Sequence, residues 1–172
     1  MGVRPIYHFP NDLVLRQKAR RVSSIDGSVQ RLIDDMIQTM QGANGVGLAA
    51  PQIGVPLRII VLQMPEQEPI ALINPEIVER AGQQDVTEGC LSVPGYFGEI
   101  KRSADVVVKG RDRRGKAVRM KATGLMAEAL EHEVDHLNGI LYVDRVEGAG
   151  RLHKIQPEVV GDKAAGDEVP TE

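Results

Sequence analysis

The stretch GLMAEALEHEVDHLNG, residues 124–139, contains the element around which we expect the rest of the chain to fold. Apolar side chains recur in it at spacings of three and four residues, the period of an α-helix with one broad apolar face. Asn138 and Gly139 follow the last apolar residue and are typical helix-ending residues. The pattern predicts a largely buried helix whose apolar face consists of Leu125, Met126, Ala129, Leu130, Val134 and Leu137.

The predicted helix carries the motif His132-Glu133-Val134-Asp135-His136. Because side chains four residues apart share one face of a helix, both imidazoles can bind one divalent metal ion. Glu133 lies at the flank of that face, where its carboxylate is placed for acid–base chemistry rather than for metal binding. The motif therefore indicates metal-assisted hydrolysis.

Further elements are predicted upstream of this helix. An amphipathic helix is expected from Ser28, as its N-cap, to Gly42, with Val29, Leu32, Ile33, Met36, Ile37 and Met40 on its apolar face. Strands are predicted at residues 57–62, 70–73, 104–109 and 116–121, and the polar turn 112–115 joins the last two as a hairpin. Strands followed by a long helix predict an α+β domain.

The composition favours one soluble domain. The 172 residues carry 42% hydrophobic and 26% charged side chains, which is ordinary for a globular protein, and the net charge of -3 gives no long-range attraction for nucleic acid. No segment approaches the roughly 20 apolar residues of a membrane span, and the N-terminus has no targeting pattern. We therefore expect a cytoplasmic protein with one domain over residues 1–147 and a flexible C-terminal tail over 148–172.

A third metal ligand has to come from elsewhere, because catalytic sites of the zinc or iron type use three protein ligands. Cys90, the only cysteine, is the leading candidate. A lone thiol is usually a small buried hydrophobe, but the histidine motif reverses the odds. The surrounding segment 88–95 (EGCLSVPG) contains glycines that permit tight turns, and it would present the backbone N–H of Leu91 beside the metal.

Residues 45–54 (GVGLAAPQIG) form a second glycine-rich stretch. Its three glycines allow a peptide to lie close to the backbone, and Gln52 can donate an N–H to a developing oxyanion. A flexible surface loop after a helix is the alternative interpretation. A phosphate-binding loop is not indicated, since no Gly-Lys-Ser/Thr follows.

The stretches 45–54, 88–95 and 132–139 together resemble the three signature motifs of the peptide deformylases, which remove the formyl group from the N-terminal formylmethionine of new bacterial proteins. Their order and spacing match as well, and the resemblance runs from about Ile6 to Arg145. It implies a fold in which antiparallel strands wrap around the central helix that carries the His-Glu-x-x-His motif.

The resemblance assigns roles residue by residue. It implies that Cys90, His132 and His136 are the metal ligands and that Glu133 is the acid–base residue. It further implies that Gln52 and the Leu91 N–H are the two oxyanion donors. Phe97 stands where many family members carry a basic residue, and we expect its ring to cover the methionine pocket instead. The residues implied to border the substrate are Gly45, Val46, Gly47, Gly89, Phe97, Leu125, Ala129 and His132.

The resemblance also implies a cofactor and substrates. One divalent metal ion is expected, Fe²⁺ in the cell, and Zn²⁺, Ni²⁺ or Co²⁺ in purified protein because affinity for nitrogen and sulfur ligands normally favours these ions over iron. The expected substrates are nascent peptides that begin with N-formylmethionine. A transient ribosome contact is left open, although the acidic C-terminal segment does not resemble the basic ribosome-docking helix of some members.

Two other functions stay open. A His-Glu-x-x-His metallopeptidase would take its third ligand from downstream instead of Cys90, and His153 is the only downstream histidine. A non-catalytic, metal-stabilised adaptor at the ribosome is the other alternative. Glu88 and Arg102 match two charged family positions and are expected either to pair behind the site or to remain solvated surface charges.

Overall fold

The computed structural model describes residues 2–156, and within them it contains two α-helices and eight β-strands. The helices are α1 (Gly27–Gly42) and α2 (Gly124–Leu137). The strands are β1 (Gly47–Ala49), β2 (Ile59–Leu62), β3 (Ile70–Ala81), β4 (Gln84–Cys90), β5 (Val93–Arg102), β6 (Asp105–Arg111), β7 (Ala117–Thr123) and β8 (Leu152–Lys154). Neither helix of residues 2–156 has the length and apolar character that crossing a membrane requires.

The strands form two antiparallel sheets. The larger sheet has the order β1-β2-β3-β6-β7, and the smaller sheet has the order β4-β5-β8. Helix α2 packs across the larger sheet and also touches β5 of the smaller one. This confirms the predicted α+β class, with antiparallel strands wrapped around the helix that carries the histidines.

Helix α2 is buried on most of its surface. Its side chains Leu130, Val134 and Leu137 pack into one core with residues of β2, β3, β6 and β7. Leu125 departs from the prediction, since it lies in the first turn and stays 46% exposed. Burial of an ionisable group costs free energy unless the group is paired or hydrogen-bonded, so the polar residues that this helix buries mark a candidate site. They are Glu131, Glu133, Asp135 and His136.

Helix α1 packs against β1 and β2 through the predicted apolar face, but its N-cap lies two residues earlier than expected. Its N-cap is Asp26, whose Oδ1 accepts hydrogen bonds from the backbone N–H groups of Ser28 at 2.9 Å and Val29 at 3.2 Å. Ser28 therefore lies inside the first turn, and its hydroxyl also donates to Asp26. A carboxylate at this place also interacts favourably with the helix dipole.

Strand β3 continues well past the predicted end at residue 73. Pro75 has no N–H to give to a neighbouring strand, and the register of β3 against β6 shifts between Ile73 and Glu76. Asn74, with a φ of 52°, lies within this irregularity. Because of this bulge, β3 continues beyond Pro75 although the proline donates no hydrogen bond to β6. The other predicted strands lie within two residues of their expected bounds.

The smaller sheet was not expected from the sequence. Residues 88–95 form the end of β4 and the start of β5, with Cys90 opposite Val93, so that the chain turns sharply between them. Strand β8, which the prediction assigned to the tail, pairs with β5 through Phe97 opposite His153. Ordered backbone therefore continues beyond residue 147. The rest of the predicted tail, residues 157–172, lies outside the described residues.

Candidate metal centre and active site

The three predicted metal ligands meet although they are distant along the chain. Cys90 ends β4, and His132 and His136 lie one turn apart on α2. The Cys90 Sγ lies 3.2 Å from the Nε2 of His136, and that Nε2 lies 3.3 Å from the Nε2 of His132. All three ligand atoms lie within 4.8 Å of one another.

The spacing and chemistry of these three residues fit one divalent transition metal. Imidazole nitrogens bind zinc at about 2.0–2.1 Å and thiolates bind it at about 2.3 Å. Two such ligands at a tetrahedral angle lie about 3.3–3.6 Å apart, which is close to the observed 3.2 Å and 3.3 Å. Sulfur and imidazole ligands also favour transition metals over magnesium or calcium. Three-ligand sites of this kind use the fourth position for water or substrate.

A chain of buried charges holds His132 in place. The Glu88 Oε2 lies 2.6 Å from the Nδ1 of His132, which leaves Nε2 for the metal. Arg102 donates two hydrogen bonds to Glu88, at 2.6 Å and 2.9 Å, and a third to Asp135 at 2.7 Å. Arg145 donates to Asp135 from the other side. Glu88 and Arg102 thus form a buried ion pair rather than solvated surface charges.

These charges shift pKa values in opposite directions. Burial opposes ionisation of Glu88, but its bonds with Arg102 and His132 outweigh burial and lower its pKa to about 2. Burial would lower the pKa of His132, whereas its contacts with Cys90 and Glu88 raise it. The pKa of His136 is lowered by burial and then by positive charge on His132. The surroundings therefore stabilise positive charge at His132 and favour the neutral imidazole at His136.

Glu133 is buried beside the cluster and is 4% exposed. Its Oε2 has no hydrogen-bond partner among residues 2–156. Burial is the main reason that the pKa of Glu133 rises to about 7, and the negative charge on Glu88 contributes as well. A carboxyl group that titrates near neutral pH can both accept a proton and return it. Gly47 faces this carboxylate so closely that a Cβ atom there would collide with it.

The side chain of Gln52 is fixed at both ends. Its Oε1 accepts a hydrogen bond from the Ala49 N–H at 2.9 Å, and its Nε2 lies 3.2 Å from the Ser92 Oγ and 3.6 Å from the Cys90 Sγ. Gln52 is only 2% exposed, so these contacts determine its orientation. One N–H of its amide is therefore directed at Cys90 of the metal cluster and the other at the Ser92 hydroxyl.

A cavity of about 400 Å³ opens onto the cluster. The segment before β1, the turn between β4 and β5, and the first turns of α2 form its walls. The cavity touches Cys90, His132, Glu133 and Gln52. Most of the other residues predicted at the site line it too, namely Gly45, Val46, Gly47, Gly89, Leu91, Leu125 and Ala129.

Phe97 is the predicted substrate residue that the structure places elsewhere. Its ring stacks on that of His153, with 5.0 Å between ring centroids, and it is not part of the cavity lining. Successive side chains of a strand point to opposite faces, so Tyr96, its neighbour on β5, lines the cavity instead. His153 of β8 is stacked on Phe97 and does not belong to the group of candidate metal ligands that Cys90 forms with the two α2 histidines.

Several residues of the cavity lining were not predicted as site residues, among them Glu128, Tyr96 and Ile155. Glu128 lies one turn before His132 on α2, and helical spacing alone could have identified it. Tyr96 required the register of β5, which the sequence did not reveal. Ile155 follows β8, and its N–H donates to the Gly95 carbonyl at 2.8 Å. Nothing in the sequence indicated that residues after 148 would reach the cavity.

Comparisons with known proteins give close matches over nearly the whole chain. The family model described as "Polypeptide deformylase" matches residues 3–151. The chain is 55% identical over 173 residues to a peptide deformylase of Dehalococcoides mccartyi (strain CBDB1), a match that covers 100% of this chain and 98% of that protein.

Solved structures agree with these sequence matches. A peptide deformylase from Legionella pneumophila superposes with a TM-score of 0.81 at 47% identity, over 84% of this chain and 86% of that one. The Met-Ala-Ser-bound peptide deformylase of Acinetobacter baumannii gives a TM-score of 0.80 at 36% identity, over 84% of this chain and 98% of that one.

Proposed function

The chain belongs to the polypeptide deformylase family, and we propose that Glu133, Gln52 and the Leu91 N–H perform the hydrolysis. Its function is peptide deformylation, the removal of the formyl group from the N-terminal formylmethionine of new polypeptides. The observation that supports these residue roles is a buried Glu133 beside three converging metal ligands, at the base of a cavity. Both alternatives, a metallopeptidase with a downstream ligand and a non-catalytic adaptor, lose support through these findings.

Cys90, His132 and His136 would hold a divalent ion. When bound, such an ion supplies a Lewis acid that lowers the pKa of water and polarises the formyl carbonyl. We propose Fe²⁺ as the ion in the cell, since the family resemblance implies it, whereas affinity alone favours Zn²⁺, Ni²⁺ or Co²⁺ during purification. Metal analysis of protein purified without oxygen should find iron. Zinc as the main metal in such a sample, when all buffers are free of zinc, nickel and cobalt, would contradict this assignment.

Proton transfer falls to Glu133. Its unpaired Oε2 is placed to accept a proton from the attacking water as the oxygen of that water bonds to the formyl carbon. The carbonyl oxygen then gains negative charge, which the Gln52 Nε2–H and the Leu91 N–H stabilise. When the C–N bond breaks, Glu133 passes its proton to the departing amine. Formate and a free N-terminal amino group are the products.

The substrate is proposed to lie between two segments of small residues. Gly45 and Gly47 on one side, and Gly89 on the other, let its backbone approach closely. The methionine side chain would occupy the part of the cavity next to Leu125 and Ala129. Binding of Met-Ala-Ser by the Acinetobacter baumannii relative supports a peptide of this kind as the ligand.

A formate-release assay tests this function directly. We expect the metal-loaded chain to release formate from formyl-Met-Ala-Ser and to leave acetyl-Met-Ala-Ser intact, because the acetyl methyl group adds bulk at the reacting carbon. No release from the formyl peptide by a fully metal-loaded sample would refute deformylation by this chain. Because the substrates are nascent peptides, the chain is also proposed to act in the cytoplasm, in transient contact with the ribosome.

A further inference from the structure

The hairpin formed by β6 and β7 concentrates positive charge in an otherwise acidic chain. Residues 105–123, here called the basic hairpin, hold seven of the 21 Lys and Arg residues but only two carboxylates, whereas the whole chain has a net charge of -3. The overall charge therefore conceals a strongly basic surface. The exposed cations of the basic hairpin are Lys109, Arg111, Arg114, Lys116, Arg119 and Lys121.

The register of the two strands places most of these cations on one face. Lys109 lies opposite Arg119, and Val107 lies opposite Lys121. Opposed residues share a face of the sheet, and alternate residues of a strand point the same way. Val108, which points the other way, is buried in the core that α2 completes. Lys109, Arg111, Arg119 and Lys121 thus lie on the β6–β7 part of the sheet face that points away from α2.

Partners within the molecule neutralise only part of this charge. Glu79 of β3 binds Arg119, and Glu76 of β3 lies opposite Lys109. Among residues 2–156, the side-chain ammonium groups of the three hairpin lysines form no hydrogen bond or salt bridge, and the one contact of Lys116 with a side chain is made by its backbone N–H, to Asp112. The three lysines are Lys109, Lys116 and Lys121. Like charges directly opposite each other destabilise a sheet. The surface would therefore gain stability from an external polyanion.

The chemistry of the basic hairpin fits a phosphate backbone better than a lipid surface. Cations at alternate strand positions lie about 6.7 Å apart, comparable with successive phosphates along a nucleic-acid strand. The hairpin contains no aromatic residue and exposes no large apolar side chain. Base stacking and insertion into a membrane both need such side chains. Recognition would therefore depend on phosphate charge and would not depend on base sequence.

We infer that the basic hairpin binds the phosphate backbone of folded RNA, so that the chain is held near RNA while its cavity stays accessible. Because the cations of the basic hairpin point away from α2, whereas residues of α2 line the cavity, one surface can be occupied without blocking the other. The choice of RNA rests on the proposed function, since nascent peptides emerge from a particle built largely of RNA.

The test is the binding of the metal-loaded full chain to a fluorescently labelled RNA hairpin, measured by anisotropy between about 50 and 200 mM salt. The triple variant Lys109→Gln, Lys116→Gln, Lys121→Gln should bind at least about 10-fold more weakly at low salt. The slope of log affinity against log salt should fall by about 3, or about one per lysine removed. Unchanged release of formate from formyl-Met-Ala-Ser would show that this variant is folded.

A matched control removes the same charge elsewhere. Lys18, Lys101 and Lys154 are exposed lysines outside the basic hairpin, and their replacement by Gln should change the slope by less than about 1. Equal weakening by both triple variants, or no RNA binding by the unmodified chain, would overturn the inference. So would normal RNA binding by the hairpin variant together with self-association, which would assign the lysines to protection of the β7 edge. Hairpin-dependent binding to phosphatidylserine vesicles, without RNA binding, would also overturn it.

RNA binding and deformylation are read out separately. A chain that binds RNA through the hairpin but releases no formate would contradict only the proposed function. A chain that releases formate but does not bind RNA would contradict only the inference about the hairpin.

Discussion

Gly47 matters at the residue scale because the Glu133 carboxylate occupies the space next to its Cα atom. A methyl group there would collide with that carboxylate, so Gly47→Ala should displace Glu133. A displacement of about 1 Å at a catalytic group typically costs about 100-fold in rate. We therefore expect kcat/KM for formyl-Met-Ala-Ser to fall about 100-fold at unchanged metal content.

The control for this substitution is Gly150→Ala, because a Cβ atom at Gly150 meets no atom within 4 Å. This variant should keep the unmodified rate. A Gly47→Ala enzyme with normal kcat/KM would show that the position of Glu133 is not critical.

Gln52 is the residue whose amide is directed at the cluster. In Gln52→Leu the side chain keeps its approximate size but loses its N–H donor. Loss of one oxyanion donor typically costs about 100- to 1,000-fold in kcat. Measured kcat should fall by that amount while one metal ion per chain is retained. A near-normal kcat would remove Gln52 from the mechanism.

Arg102 supports the site from behind, through its bonds to Glu88 and Asp135. Arg102→Met would leave the Glu88 carboxylate buried without its main partner, whereas Asp135 would keep its bonds to Arg145. Breaking a buried pair in this way typically costs about 3–5 kcal/mol. Urea denaturation at neutral pH should show that loss in the free energy of unfolding. Lys101→Met, which breaks only the exposed contact with Asp85, should cost less than about 1 kcal/mol.

The stability difference between the unmodified chain and Arg102→Met should depend on pH. The pKa of Glu88 is lowered from its ordinary 4.5 to about 2, so its stabilising ionisation is complete above pH 4.5 and is lost as pH falls towards 2. In Arg102→Met the main cause of this low pKa is absent. The difference in unfolding free energy should therefore narrow as pH falls from 4.5 to 2. A constant difference over that range would contradict the assignment.

At the scale of elements, the two helices could be predicted because each carries a repeating apolar pattern. The start of α1 was misplaced, since Asp26 and Ser28 are both good capping residues and local sequence does not rank them. The strands β4 and β5 were missed for another reason. Cys90, Val93 and Gly95 sit in a glycine-bearing stretch that has no clear alternation, and it becomes a strand pair only through long-range pairing.

Asp26 offers a test of the helix start. Asp26→Ala removes the acceptor for two backbone N–H groups and should lower the free energy of unfolding by about 1 kcal/mol. Ser28→Ala should cost clearly less, since the Ser28 hydroxyl only donates to Asp26. Urea denaturation of both variants would distinguish the caps. A larger loss of unfolding free energy in Ser28→Ala than in Asp26→Ala would show that Ser28 is the N-cap, as predicted from the sequence.

At the scale of the whole molecule, the fold brings together residues that lie in separate motifs, far apart along the sequence. Helical spacing explains why His132 and His136 converge, but the approach of Cys90 depends on how the smaller sheet packs against α2. Ile155 could not be predicted because its place depends on β8 pairing with the edge of that sheet. Local pattern therefore predicted the chemistry of the site, whereas tertiary packing determined the shape of its cavity.

The proposed role of Glu133 is to move the protons of hydrolysis beside a three-ligand metal site. Its most direct test is the rate of formate release from formyl-Met-Ala-Ser by Glu133→Gln protein that retains one metal ion per chain. Loss of a general acid–base group typically costs about 100- to 10,000-fold, and we expect a loss in that range. A Glu133→Gln enzyme that keeps its metal and releases formate at nearly the unmodified rate would contradict this role of Glu133.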